Sequence, residues 1–196
     1  MKLLNLFSTE GVEIRDPSLR NYITLKPVLV PHSCGRHSNQ QFKQVEMNIV
    51  ERLIDKVMTT GHEGRVHRRT SGRNVGKKML ATKIVTKAFE IIEKRTKANP
   101  IQVLINAIEN AGPREDTTRV KYGGIAYHIS VDISPKRRVD LALRFITVGA
   151  AKRAFGTKTP IYTALAEEII AAANRDTKCY SISKKEEQER VAKSAR

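Results

Sequence analysis

Residues 112–138 constrain the chain most, because their pattern fits one local fold. From Ile125 the apolar residues take alternate positions (Ile125, Tyr127, Ile129, Val131, Ile133), with Ala126, His128, Ser130 and Asp132 between them. A period of two belongs to a β-strand with one apolar face. Gly123 and Gly124 come just before, and a glycine pair enters the positive-φ conformations of a two-residue hairpin turn without a Cβ clash. Folding back about that pair sets Tyr122 opposite Ile125, Val120 opposite Tyr127 and Thr118 opposite Ile129. Apolar residues of both strands then share one face, and Arg119, Lys121 and His128 share the other. A one-residue slip would scatter both sets, so the pattern fixes the register. The sequence thus predicts a two-stranded ribbon over about residues 115–133, with an apolar face anchored on a helical body and a basic face left over. A lone ribbon is marginal in water. It needs a body to stand on.

The body is legible as helices. Residues 43–60 carry Ile49, Val50, Leu53, Ile54, Val57 and Met58 at the spacing of one apolar helix face, and Gly61 is a natural terminator. Over residues 75–97, Leu80, Ala81, Ile84, Val85, Ala88, Phe89, Ile91 and Ile92 cover one side while Lys83, Lys87 and Lys94 line an edge of the other. Three further helices open on a short polar residue followed by proline: Asn99-Pro100, Ser134-Pro135 and Thr159-Pro160. Such a pair supplies a side-chain acceptor for an orphan N–H and then a residue with no N–H to orphan. The first of these helices, residues 101–111, is apolar nearly all round and is expected to be the most buried; Gly112-Pro113 stops it. The others are expected over 135–155 and 161–173. A tail helix is expected from a capping box at Ser183 and Glu186. Residues 1–42 lack helical periodicity and carry Pro17, Pro27 and Pro31, so they read as an extended segment that wraps something. The expected fold class is mainly α: a bundle of about six helices over residues 43–196, one protruding β-hairpin, and an extended N-terminal segment over 1–42.

Charge narrows the function. The 196 residues hold 36 Lys and Arg against 20 Asp and Glu, a formal charge of +16, which repels itself in the folded state unless a polyanion neutralises it. Nucleic acid is the leading partner. An anionic membrane is disfavoured, since no apolar run approaches the ~20 residues of a spanning helix, and residues 1–7 are too short an apolar run for a secretory signal. Cys34 and Cys179 make no disulfide framework and read as reduced thiols of a cytosolic protein. From Arg65 to Lys87 the charges have one sign only: Arg65, Arg68, Arg69, Arg73, Lys77, Lys78, Lys83 and Lys87. That run favours a phosphate-facing surface over a merely solvated one. Lys136, Arg137 and Arg138 occupy the first turn of a helix, where cations oppose the macrodipole, and a placement that breaks a local rule points to phosphate contact. Lys152, Arg153 and Lys158 form a second cluster at the far end of that helix, and Arg114 precedes the ribbon.

Catalytic and ligand motifs are weak. The stretch 71–78 has the wrong glycine spacing for a phosphate-binding P-loop, with Lys78 where a Ser or Thr is required. His32, Cys34 and His37 lack a fourth ligand for a zinc site. Glu115, Asp116 and Asp132 lie too near Arg114 and Arg119 to suggest a catalytic metal cluster. No catalytic residue, metal, cofactor or small-molecule substrate is expected. Tyr122 and Tyr127 suit base stacking as well as packing on the ribbon's own apolar face. The rival within nucleic-acid binding is a DNA-architectural protein, for which a basic ribbon arm is also suited.

Several runs together carry a resemblance: Asn99-Pro100-Ile101-Gln102-Val103-Leu104, Gly112-Pro113-Arg114-Glu115-Asp116, Tyr122-Gly123-Gly124-Ile125-Ala126-Tyr127, and Pro135-Lys136-Arg137-Arg138 with Leu141-Ala142-Leu143-Arg144. In this order the chain from about residue 42 to 196 resembles the small ribosomal subunit protein seven (S-seven) family. The run from Pro31 to Arg36 and the ending from Lys185 to Ser194 resemble its archaeal and eukaryotic form. The segment 63–73 departs from the family pattern by its length and arginine content. The resemblance implies a helical bundle with a protruding hairpin that binds the 3′ major domain of small-subunit rRNA, nucleates assembly of the subunit head, and stands near exit-site tRNA and the mRNA exit path, among neighbouring ribosomal proteins in the cytoplasm. It places Arg119, Lys121, Tyr122, Gly123, Gly124 and His128 on the RNA-contacting arm. Lys77, Lys78, Lys83, Arg137, Arg138 and Arg144 fall in the basic regions beside it.

Overall fold

The computed structural model describes residues 3–4, 6–59 and 74–196. Among them run a one-turn helix α1 (Pro17–Arg20) and six longer helices: α2 (Ile49–Met58), α3 (Lys78–Thr96), α4 (Pro100–Ala111), α5 (Pro135–Ala154), α6 (Ile161–Ala173) and α7 (Tyr180–Ser194). Strands β1 (Glu115–Tyr122) and β2 (Ile125–Asp132) form one antiparallel hairpin between α4 and α5.

The periodic apolar faces are what the helices bury. Helix α6 packs on α3, α4 and α5, and α2 closes the other side through α3 and α5. Leu53, Val85, Phe89, Leu104, Ile108, Leu143, Ile146 and Ile169 are all fully buried in one continuous core. Leu3, Phe7, Leu19 and Ile23 join that core, with the Phe7 and Phe89 rings edge to face at 5.5 Å. What the N-terminal segment wraps is therefore the helical body itself.

Four local expectations are corrected. The first helix starts at Ile49, not at residue 43, because Met47 is extended and Asn48 caps it, accepting the Val50 N–H at 2.9 Å while its amide donates to the Lys26 carbonyl at 2.6 Å. A parallel bridge between Thr24 and Asn48 ties the wrapping segment in at that break. Second, of the three polar-proline starts only Asn99 caps through its side chain, accepting from the Ile101 N–H at 3.0 Å; Ser134 makes no such bond, and α6 takes Pro160 as its cap position. Third, α7 starts at Tyr180 instead of at a Ser183 capping box, since buried Cys179, Ser181 and Ile182 draw the chain into the helix earlier. Fourth, α4 is buried along most of its length, but so is α2, which buries Glu51 and Arg52 beside its aliphatic residues. Apolar count alone misses a charged residue that is buried with its partner.

Candidate nucleic-acid interface

The arm follows from its turn. Gly123 and Gly124 have φ of 56° and 85°, the pair of positive values that a two-residue primed turn requires. The strands pair Tyr122 with Ile125, Val120 with Tyr127, Thr118 with Ile129 and Arg119 with His128, which is the register that the alternation predicts. Arg119, Lys121 and His128 lie exposed along one face.

The apolar face is not anchored on the body along its length. Tyr122 is 75% exposed, Ile125 61% and Tyr127 51%. Only the root of the ribbon meets α7, where Asp116 and Thr117 line a hollow with Gln188 and Val191. The rest is largely exposed, and a two-stranded ribbon has no second layer of its own to cover it. The tyrosine rings are thus free to stack on unpaired bases. Several bonds hold the root. The Arg114 N–H donates to Glu189 at 3.0 Å, the Ser130 N–H to the Ala195 carbonyl at 3.3 Å, Arg137 pairs with Asp116 at 3.4 Å, and Arg196 pairs with Glu115.

Beside the root, the amino end of α5 opens a hollow of about 330 Å³ lined by Lys56, Ser134, Lys136, Arg137, Asp140, Leu141 and Arg144. Ser134 makes no side-chain capping bond, so the first-turn N–H groups of α5 keep the donor character and positive end of a helix dipole. The one carboxylate in the lining, Asp140, is paired with buried Arg52 at 3.1 Å. Lys136 stands 5.5 Å from the exposed Phe42 ring. Four cations stand around uncapped helical N–H groups, Arg137 also touching Asp116, and this is the donor set that an anion needs.

Other basic residues turn inward. Arg138 is buried, bonded to Asp16 at 3.1 Å and Ser18 at 2.9 Å. Lys78 bonds to Glu51 at 2.6 Å and Asp55 at 3.3 Å. These two are spent on the fold. Burial pushes the Glu51 carboxyl up, but the bonds from Lys78 and Ser33 outweigh it and hold the pKa below its ordinary value. Asp16 is likewise held low: burial raises it, and Ser18 and Arg138 more than compensate. At the far end of α5, Arg153 and Arg95 share Glu167, each at 3.1 Å, and Lys152 sits 4.4 Å from the Tyr180 ring. Lys77, Lys83, Lys87, Arg114, Arg144 and Lys158 remain exposed, Lys87 lying 5.4 Å from the Tyr162 ring. Arg65, Arg68, Arg69 and Arg73 lie outside the described residues. His32 and His37 serve a turn, where His32 Nδ1 accepts the Cys34 N–H at 3.0 Å and His37 Nδ1 meets Ser33 Oγ at 3.2 Å. Sequence reading missed Lys56 and Phe42, and no local signal marks them: the α2–α5 packing and the wrapping segment bring them to the hollow.

A helical body bearing a basic ribbon arm and an anion hollow at the arm's root defines a nucleic-acid-binding protein. The sequence model of the family described as ribosomal protein S7p/S5e matches residues 19–196, and the chain belongs to that family. It is a structural component of the small ribosomal subunit, in the cytoplasm, and binds rRNA.

Proposed function

We propose that the chain binds the 3′ major, head-forming domain of small-subunit rRNA, nucleates assembly of the subunit head, and reaches with its arm toward exit-site tRNA and the mRNA exit path. The observation that carries this reading is the division of labour at the arm's root. The α5 hollow, with Lys56, Lys136, Arg137 and Arg144, offers phosphate contacts; the tip, with Tyr122 and Tyr127 exposed, offers ring faces to unstacked bases. Lys77, Lys83 and Lys87 extend the phosphate-facing surface along α3, while Arg119, Lys121 and His128 extend it along the arm. Glycines at the tip let the backbone approach RNA closely, and their positive φ makes any side chain there strained.

Hydroxyl-radical footprinting of an rRNA head fragment separates body from arm. Deleting the four residues Lys121, Tyr122, Ile125 and Ala126, so that the ribbon re-closes on the glycine pair two residues shorter per strand, is expected to keep the body's protections and to remove a discrete subset at the tip. A footprint unchanged by the shorter arm would contradict an RNA role for the tip.

A further inference from the structure

A second basic hollow, sharing no lining residue with the one on α5, lies where α1, α4 and the α6–α7 turn meet. Its volume is about 590 Å³, and Arg15, Arg114 and Arg175 stand around it with Asn106, Asn110 and Asn174. Its two carboxylates are already committed. Asp16 is bonded to Arg138 and Ser18, and Glu109 Oε1 accepts the backbone N–H groups of Arg15 at 2.8 Å and Asp16 at 3.1 Å. The side chains of Arg15 and Arg114 have no ion-pair partner among the described residues.

Arg175 is built into place. It follows α6 in the left-handed region, φ 57°, where glycine or asparagine is the ordinary choice and another residue is held at a cost. Its Nε donates to Asn110 Oδ1 at 2.9 Å, and the Asn110 amide is itself fixed by the Ala172 and Ala173 carbonyls at 3.1 and 2.8 Å. A strained backbone that aims a guanidinium into a hollow is a feature to explain by function. Positive charge is in excess here. Lys185 has a lowered pKa: burial depresses it, Glu189 raises it, and the charges of Arg114, Arg175 and Arg138 depress it further.

We propose that this hollow is a second phosphate-binding site for RNA, in which Arg15, Arg114 and Arg175 clamp a phosphodiester of a strand distinct from the one held at α5. Guanidinium forks match phosphate oxygens in pairs, and the Asn106 and Asn174 amides, unlike that of Asn110, are left to meet ribose hydroxyls. The site rests on the rRNA reading above. With both hollows filled, the body bridges two RNA strands instead of lying along one.

The test compares four full-length chains: wild type, K136Q/R137Q, R15Q/R114Q and the quadruple variant. Each is titrated with an rRNA head fragment across a salt series and melted thermally. Because Arg15 and Arg114 make no side-chain ion pair, R15Q/R114Q is expected to melt like wild type. Its slope of log K against log salt is expected to flatten by about 0.7 to 0.9 for each phosphate released, additively with the effect at α5. A slope that falls for K136Q/R137Q but not for R15Q/R114Q overturns the second site while leaving the rRNA reading intact. If R15Q/R114Q keeps the wild-type slope but enters reconstituted small-subunit particles poorly, the occupant is an acidic protein segment, and the RNA site is overturned. Equal binding of the wild type to rRNA and duplex DNA overturns both readings together.

Discussion

Gly149→Ala is expected to lower stability by about 3 kcal/mol, although alanine is the better helix former. Gly149 lies on α5 against Glu168 of α6 and Tyr180 of α7. A Cβ there would stand 2.7 Å from Glu168 Oε1 and 3.0 Å from Tyr180 Cβ. The end of a glutamate side chain ordinarily swings aside at little cost. This one is 1% exposed and accepts both the Ser181 N–H at 2.9 Å and the Ser181 hydroxyl at 2.8 Å. Overpacking a core costs roughly 1–3 kcal/mol, and leaving buried donors unpaired costs roughly 1–3 more. The helix-propensity gain returns only ~0.5–1 kcal/mol. At roughly 2–4 °C per kcal/mol for a chain of this size, melting should fall by about 6–12 °C. Glu168→Ala in the same background should relieve the clash, so the double variant should be less destabilised than the sum of the singles. A Tm within about 2 °C of wild type for G149A would contradict the close approach. The consequence reaches the RNA surface, because α5 carries the hollow at its amino end and must be seated to present it.

The second large effect is on binding. Replacing Lys136 and Arg137 together by Gln is expected to weaken RNA affinity about tenfold, if each exposed charge interaction is worth ~0.7 kcal/mol. The weakening should be similar across RNA sequences, because phosphate contacts position the protein without reading bases. The salt slope should flatten by about 0.7 to 0.9 for each phosphate no longer neutralised. Arg138→Gln is the control with the opposite signature. Its side chain is 8% exposed and tied to Asp16, so it should lower Tm and leave the slope alone. A flattened slope for R138Q, or an unchanged one for K136Q/R137Q, would reverse the assignments of neighbouring residues on one helix turn. Equilibrium titration at several salt concentrations decides between them.

These neighbours also show what a sequence conveys and what it does not. The ribbon's register is readable because side-chain period and turn chemistry are local, and both select the pairing of Val120 with Tyr127. The helices are readable for the same reason, within a turn at their ends except at the start of α2, which lies six residues later than its periodicity suggests. Which basic residues are free is not local. Arg138 and Arg137 are consecutive, yet one is buried against Asp16 far along the chain and the other, in a long contact with Asp116, stays exposed beside an open hollow. Lys78 sits in the one-sign basic run and is nonetheless spent on Glu51 and Asp55. The exposed apolar face of the arm has a like cause: alternation states that Ile125 and Tyr127 share a face, and only the tertiary fold states that, among the described residues, no helix covers it. The start of α2 at Ile49 depends on Thr24, brought from the wrapping segment to Asn48.

The measurement that tests the central claim most directly is competition binding of the full chain, with an rRNA head fragment against an equal mass of duplex DNA, across a salt series. A large preference for the rRNA that persists at physiological salt is expected, because RNA shape and unstacked bases add to the phosphate contacts. Equal and steeply salt-dependent binding to both would contradict it, reducing the chain's recognition to charge alone and favouring a DNA-architectural role for the arm.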